Sequence, residues 1–300
     1  MYKSTILNEF TKIYNNLHYN CIIKLKIPQN IIGVYMIKKK IVITGAGSGL
    51  GKMAAIKLAR RGHTVYATAQ YENQCEELNN IAISENINLK SFKLDILLQE
   101  DRNKLFDIDF DTLINNAAIG DSGSVSEIRV DRFENVFETN VFSSIKLTQI
   151  AIKKFIELKH GRIIFISSLA GRLPFPFLAP YSSSKFAIES FVTCLRSEMK
   201  LLNDANIQIG MIEPGAYATG FNKENNEKKY TWMQDKSYFK YKLNIIKKYE
   251  EKLWNLIESH NFKPIIKQYI KAVEDNRLKR RYTAPKFQAI FIQLCRILGF

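Results

Sequence analysis

The sequence predicts an α/β domain built as a doubly wound parallel sheet with helices on both faces. Three observations predict it. The apolar run Ile41-Val42-Ile43-Thr44 enters a glycine-rich turn, Gly45 to Gly51, and a helical pattern follows at once. Short apolar, β-branched segments then recur with helix-length segments between them, which implies parallel strands joined by helical crossovers. The alternation is also continuous and shows no internal repeat, so 300 residues that could by length make two domains read as a single domain.

Strands are expected near 39–44, 63–68, 89–94, 111–115, 162–167 and 206–212. After the first, Lys52 to Arg60 sets Met53, Ala54, Ile56 and Leu58 at helical spacing. The longest helices are expected over 131–158 and 181–202. Ile37-Lys38-Lys39-Lys40 leads directly into the first strand, so Met36 is the expected start of the domain and 36–300 its extent. Residues 1–35 form an N-terminal extension without the apolar core of a signal or the arginines of a transit peptide. They read as a disordered arm or an over-extended gene model.

Charge is unevenly placed. The net charge is +15, yet residues 1–40 carry +6 and residues 221–300 carry +10, which leaves 41–220 at −1. A near-neutral centre argues against nucleic acid as a partner, while the basic flanks suit solvated helix faces or an anionic surface. The cysteines (Cys21, Cys75, Cys194, Cys295) are scattered, with neither C-x-x-C nor metal spacing. They imply a reducing, cytoplasmic setting and no metal. His18, His63, His160 and His260 belong to no nucleophile–base pattern, so a Ser-His-Asp hydrolase is poorly supported.

Two motifs carry chemistry. Tyr181 and Lys185 are four residues apart and share one helix face. A free tyrosine has a pKa of roughly 10, and a lysine charge nearby favours its phenolate. Ser168 ends the apolar run 162–167, so its hydroxyl emerges at a strand end, where ligands sit in open α/β sheets. In the glycine turn, Gly45, Gly49 and Gly51 let backbone amides approach a pyrophosphate at a helix N-terminus, with Ser48 and Leu50 between them. The absence of a Gly-Lys-Ser/Thr ending argues against a nucleoside-triphosphate loop.

These motifs, in this order, resemble the short-chain dehydrogenase/reductase family, and the resemblance spans about residues 38 to 220. Asn115-Asn116-Ala117-Ala118 looks like the family's Asn-Asn-Ala-Gly segment with alanine at its end. Asn140 resembles the family's asparagine on the long central helix, Asp95, beside Ile96, its adenine-contacting acid, and Pro214-Gly215 with Thr219 its nicotinamide-side turn. Leu169 to Arg172 and Glu213-Pro214-Gly215 look most like the steroid- and retinol-dehydrogenase-like branch.

The resemblance implies a Rossmann-like fold and an NAD(P)-dependent oxidoreductase assembled as a homodimer or homotetramer. In that scheme Tyr181 exchanges the proton, Ser168 orients the oxygen, Lys185 lowers the tyrosine pKa and contacts the ribose, and Asn140 holds a water leading to solvent. Ala69 and Gln70 end the second strand where an acid would select NAD, so NADP(H) is favoured over NAD(H). The apolar stretch Leu173 to Pro180 is expected to wall the pocket, which suits a small hydrophobic alcohol or ketone. Residues 221–262 are expected to cap it, with Trp232 and Trp254 either lining the pocket or packing in the core. The apolar C-terminal tail, 287–298, is expected to pack on the domain or a second subunit in preference to a membrane. Two other readings stand beside this one: a sugar-nucleotide epimerase-type enzyme, and a dinucleotide-binding regulator or scaffold without turnover.

Overall fold

The computed structural model describes residues 38–234 and 237–299, so the expectations for 1–35 and for Met36 lie outside the described residues. Seven strands, β1 (Lys40–Ile43), β2 (Thr64–Ala69), β3 (Leu89–Lys93), β4 (Thr112–Asn115), β5 (His160–Ile166), β6 (Asn206–Pro214) and β7 (Arg281–Ala284), form one sheet. Its order is β3-β2-β1-β4-β5-β6-β7 and every neighbouring pair is parallel. The first six match the sequence expectation, whereas β7 does not appear in it. β7 lies at the sheet edge, paired from Met211↔Arg281 to Pro214↔Ala284, and its alternating burial hides it among basic residues.

The helices are α1 (Gly49–Arg60), α2 (Glu72–Glu85), α3 (Gln99–Asn103), α4 (Val130–Phe137), α5 (Ser143–Glu157), α6 (Ala179–Met199), α7 (Phe221–Trp232), α8 (Leu243–Ile257), α9 (Lys263–Glu274) and α10 (Lys286–Ile297). The single helix expected over 131–158 is two, α4 and α5, joined by a π-helical turn at Glu138–Phe142. Such turns recur at functional sites. α6 begins at Ala179, because Pro180 fits a first helical turn where its missing N–H bonds nothing.

The central strands β1, β4 and β5 are mostly buried and largely apolar because both faces are covered. Successive side chains point to opposite faces: Ile41 and Ile43 enter one core and Val42 the other, as do Ile164 and Ile166 against Ile163 and Phe165. Each such side chain stabilises the fold by about 1.5–3 kcal/mol. The one cation inside β5, Arg162, donates to the carbonyls of Ala272, Val273 and Asp275. It thereby satisfies groups that the C-terminal end of α9 leaves without helical partners.

Candidate active site

The chain leaves β1 toward β2 but leaves β4 toward β5, on opposite sides of the sheet. Connections at that point diverge and open a crevice beyond the strands' carboxyl ends. A cleft of about 670 Å³ lies there. Every cofactor-contact residue expected from sequence lines it: Gly45, Ser48, Gly49, Leu50, Gly51, Gln70, Asp95, Ile96, Asn116, Ala117, Ala118, Tyr181, Lys185, Pro214, Gly215 and Thr219.

The glycine turn forms one wall, and its glycines are there for space. A Cβ at Gly45 (φ +63°) would stand 2.6 Å from Ala117 Cα. One at Gly51 would stand 2.4 Å from Asn116 Nδ2 and 2.6 Å from the Gly45 carbonyl oxygen. Either methyl would force the turn away from the loop after β4. Ser48 precedes α1 in extended conformation, its hydroxyl makes no capping bond, and the first turn carries no acid. The helix N-terminus therefore offers uncapped amides and a positive dipole end to the cleft, which fits the pyrophosphate of a dinucleotide.

Asn116 braces this wall. Its Nδ2 donates to the carbonyls of Thr44 (2.8 Å) and Gly45 (3.1 Å), and its backbone N–H donates to Thr44 Oγ1. Tyr269 of α9 donates to its Oδ1 at 2.9 Å. Tyr269 lines the cleft although sequence reasoning did not single it out. Its burial was legible from the helical spacing of Ile265, Ile266, Tyr269, Ala272 and Val273, but its partner was not.

At the far end of β2, Ala69 is buried, and Gln70 Nε2 donates to Asp95 Oδ2 at 3.1 Å. The Asp95 backbone is in turn fixed by Asp101, whose carboxylate accepts from its N–H at 2.7 Å. Among the described lining residues Lys185 is the only cation.

Ser168, Tyr181 and Lys185 meet at the other end. Ser168 follows β5, and its Oγ accepts from Ala170 N–H at 3.1 Å, capping the 3-10 turn Leu169–Gly171. Burial pushes the Tyr181 phenol up to about 12, and the hydrogen bond with Ser168 pulls it back only partly. Lys185 is 2% exposed, and Nζ donates to the Ile166 carbonyl at 2.8 Å. Burial lowers its pKa to about 7 against the opposing pull of Glu189, one turn on. This differs from the expected scheme, in which the lysine depresses the phenol. Nζ stands 5.5 Å from the Tyr181 ring centroid, and in this cavity desolvation dominates both groups.

Asn140 sits in the π-helical turn and does not line the cleft. Both of its amide hydrogens are engaged, by the Ile119 carbonyl at 2.8 Å and by Ser184 Oγ at 3.0 Å. Its Oδ1 accepts from Ile119 N–H at 2.9 Å. It thus clamps Ile119, which does line the cleft, and ties it to α6 beneath Tyr181.

The expected pocket wall is displaced. Leu173 and Phe175 pack on α10, and Phe177 stacks edge-on against Phe239, so 173–180 do not line the cleft. Ile119, Phe221, Asn222 and Glu224 line it instead, with the Phe221 ring 5.5 Å from that of Tyr181. Among the described residues of the expected cap, only this first turn of α7 reaches the cleft. Trp232 packs against Gly123 and donates to the Ser122 carbonyl, and Trp254 is away from the cleft.

A glycine turn at a helix N-terminus and a Ser–Tyr–Lys group line one cleft at the carboxyl ends of the strands. Residues 39–230 match the family model described as short chain dehydrogenase. A Helicobacter pylori short-chain type dehydrogenase/reductase is 29% identical, over 86% of this chain and 92% of its own. The 3-ketodihydrosphingosine reductase of Bacteroides thetaiotaomicron is 29% identical, over 70% of this chain and 76% of its own. Among solved structures, a Burkholderia phymatum short chain dehydrogenase/reductase in complex with NAD superposes with a TM-score of 0.72 at 17% identity, covering 88% of this chain and 95% of that one. A gluconate 5-dehydrogenase from Burkholderia cenocepacia in complex with NADP and tartrate superposes with 0.58 at 22% identity, covering 63% and 75%. The chain belongs to the short-chain dehydrogenase family.

Proposed function

We propose that the protein transfers a hydride between NADP(H) and a hydrophobic alcohol or ketone. The observation that carries this reading is the meeting of Ser168, Tyr181 and Lys185 at one end of the cleft that begins at the glycine turn. When bound, the dinucleotide supplies or accepts the hydride. The chain's own residues handle the proton and the geometry. With its pKa pushed up to about 12, Tyr181 is protonated at neutral pH and ready to give a proton to a carbonyl oxygen. Ser168, hydrogen-bonded to the phenol, holds the same oxygen. Lys185 would hold the ribose of the bound dinucleotide, and Asn140 is a positioning residue for Ile119 and α6.

NADP(H) is favoured over NAD(H) because β2 ends in Ala69, followed by Gln70, and neither side chain is the acid that would hold the ribose hydroxyls of NAD. An apolar substrate is supported by Ile119 and Phe221 beside Tyr181, and by the long-chain ketone in the name of the Bacteroides relative. The reading includes a homodimer or homotetramer, and a cytoplasmic setting in which Cys75, Cys194 and Cys295 stay free. Titration with NADPH and NADH, followed by nicotinamide fluorescence and thermal stability, tests the nucleotide site. A screen of apolar ketones with NADPH then tests turnover. A folded sample that binds neither nucleotide overturns the proposal.

A further inference from the structure

The domain uses only half of α10. Ala289 and Ile292 are buried against Leu169 and Leu173, with Phe175 and Cys295 packed beside them. The opposite face presents Phe287, Ile290, Phe291, Leu294, Ile297 and Leu298, each between 53% and 70% exposed. At 100° per residue these six span an arc of about 120°. Contiguous apolar patches of this kind mark contact sites on otherwise soluble surfaces.

The segment that carries this face is charged with one sign. Residues 276–300 contain six Lys/Arg and no Asp/Glu. Arg281 is consumed by Glu189 and Glu213, but Arg277, Lys279, Arg280, Lys286 and Arg296 are exposed. An apolar stripe accompanied by cations is complementary to lipid phosphates above an acyl boundary.

We propose that the exposed face of α10 docks in the plane of an anionic lipid surface. Among the described residues no helix is long and apolar enough to cross a membrane, so the contact is interfacial. The buried face already holds the helix in place, so binding does not have to order it. A second copy suits the face less well. A two-fold contact sets the same patch against itself, and here it would oppose like charges with no carboxylate in 276–300 to neutralise them. The inner side of the same helix touches the edge of the site. Gln288 of α10 accepts from Ala216 N–H at 2.9 Å, immediately after Gly215 of the cleft.

Flotation of the full chain with phosphatidylcholine vesicles, with and without phosphatidylglycerol, tests the proposal. The protein is expected to float with the anionic vesicles only and to be released by salt. Lys286→Gln should weaken binding about fivefold. The triple variant Ile290→Ser, Phe291→Ser, Leu294→Ser should lose at least about tenfold while keeping NADPH affinity and thermal stability, which shows that it folds. A wild-type protein that never floats overturns the proposal, as does a folded triple variant that floats equally well. If light scattering instead finds a wild-type oligomer that the triple variant breaks, without vesicle binding, the face belongs to a second copy and the lipid assignment is wrong.

Discussion

Tyr269 donates its hydroxyl to Asn116 Oδ1 at 2.9 Å, across 153 residues of sequence. Because the Asn116 amide hydrogens hold the Thr44 and Gly45 carbonyls, this bond joins α9, the loop after β4 and the glycine turn into one wall. Burial raises the Tyr269 pKa well above its ordinary value, so it remains a donor at any working pH.

Tyr269→Phe leaves Asn116 Oδ1 without its partner. The cost is about 1–3 kcal/mol, with a drop in Tm of several degrees and a several-fold weaker NADPH affinity. Differential scanning fluorimetry and a fluorescence titration read both. An unchanged nucleotide affinity would show that Asn116 is held well enough by its two carbonyls.

Tyr181→Phe should lower kcat by about 10²–10⁴-fold. Its NADPH dissociation constant should change by no more than about twofold, because the ring remains and only the proton donor is lost. Turnover near wild type in this variant would remove Tyr181 from the chemistry.

Lys185 titrates near pH 7 in the folded site against 10.5 in its ordinary state. Between those values the unfolded chain holds a proton that the folded site lacks, so this group makes stability rise with pH from about 7 to 10.5. Lys185→Met removes that dependence. Without dinucleotide, the variant should exceed wild type in Tm most clearly near pH 7, and the gap should close toward pH 10.5. A gap that is constant across the range would mean that the lysine is not desolvated as described.

Gln70→Arg places a guanidinium where the cleft offers only an amide. The ratio of NADPH to NADH affinity should rise about tenfold, since a charge-assisted bond to a 2′-phosphate is added. Asp95, 3.1 Å from the Gln70 amide, will hold part of that new charge and limits the gain. A ratio that does not move would place the 2′ position away from Gln70.

Six strands and the residues that line the cleft were legible because each rests on a local pattern: an apolar run, a glycine at a turn, an asparagine after a strand. β7 was not, since Arg281-Tyr282-Thr283-Ala284 is short and half exposed and is a strand only by virtue of β6. The break at Glu138–Phe142 was equally hidden, because a π-helical turn needs no glycine or proline and this segment contains neither. Phe177 and Trp232 resembled pocket walls by composition. Their partners, Phe239 and Gly123, lie far along the chain and draw them into packing.

By itself the sequence determined the parallel α/β order, the glycine turn before a helix, and the placing of Tyr181 and Lys185 on one helix face. These follow from side-chain periodicity and backbone freedom, which act over a few residues. Only the tertiary structure decided the bond from Tyr269 to Asn116, the use of Asn140 as a clamp, and the opposite pKa shifts of Tyr181 and Lys185. Those depend on which distant groups meet and on how much water their meeting excludes.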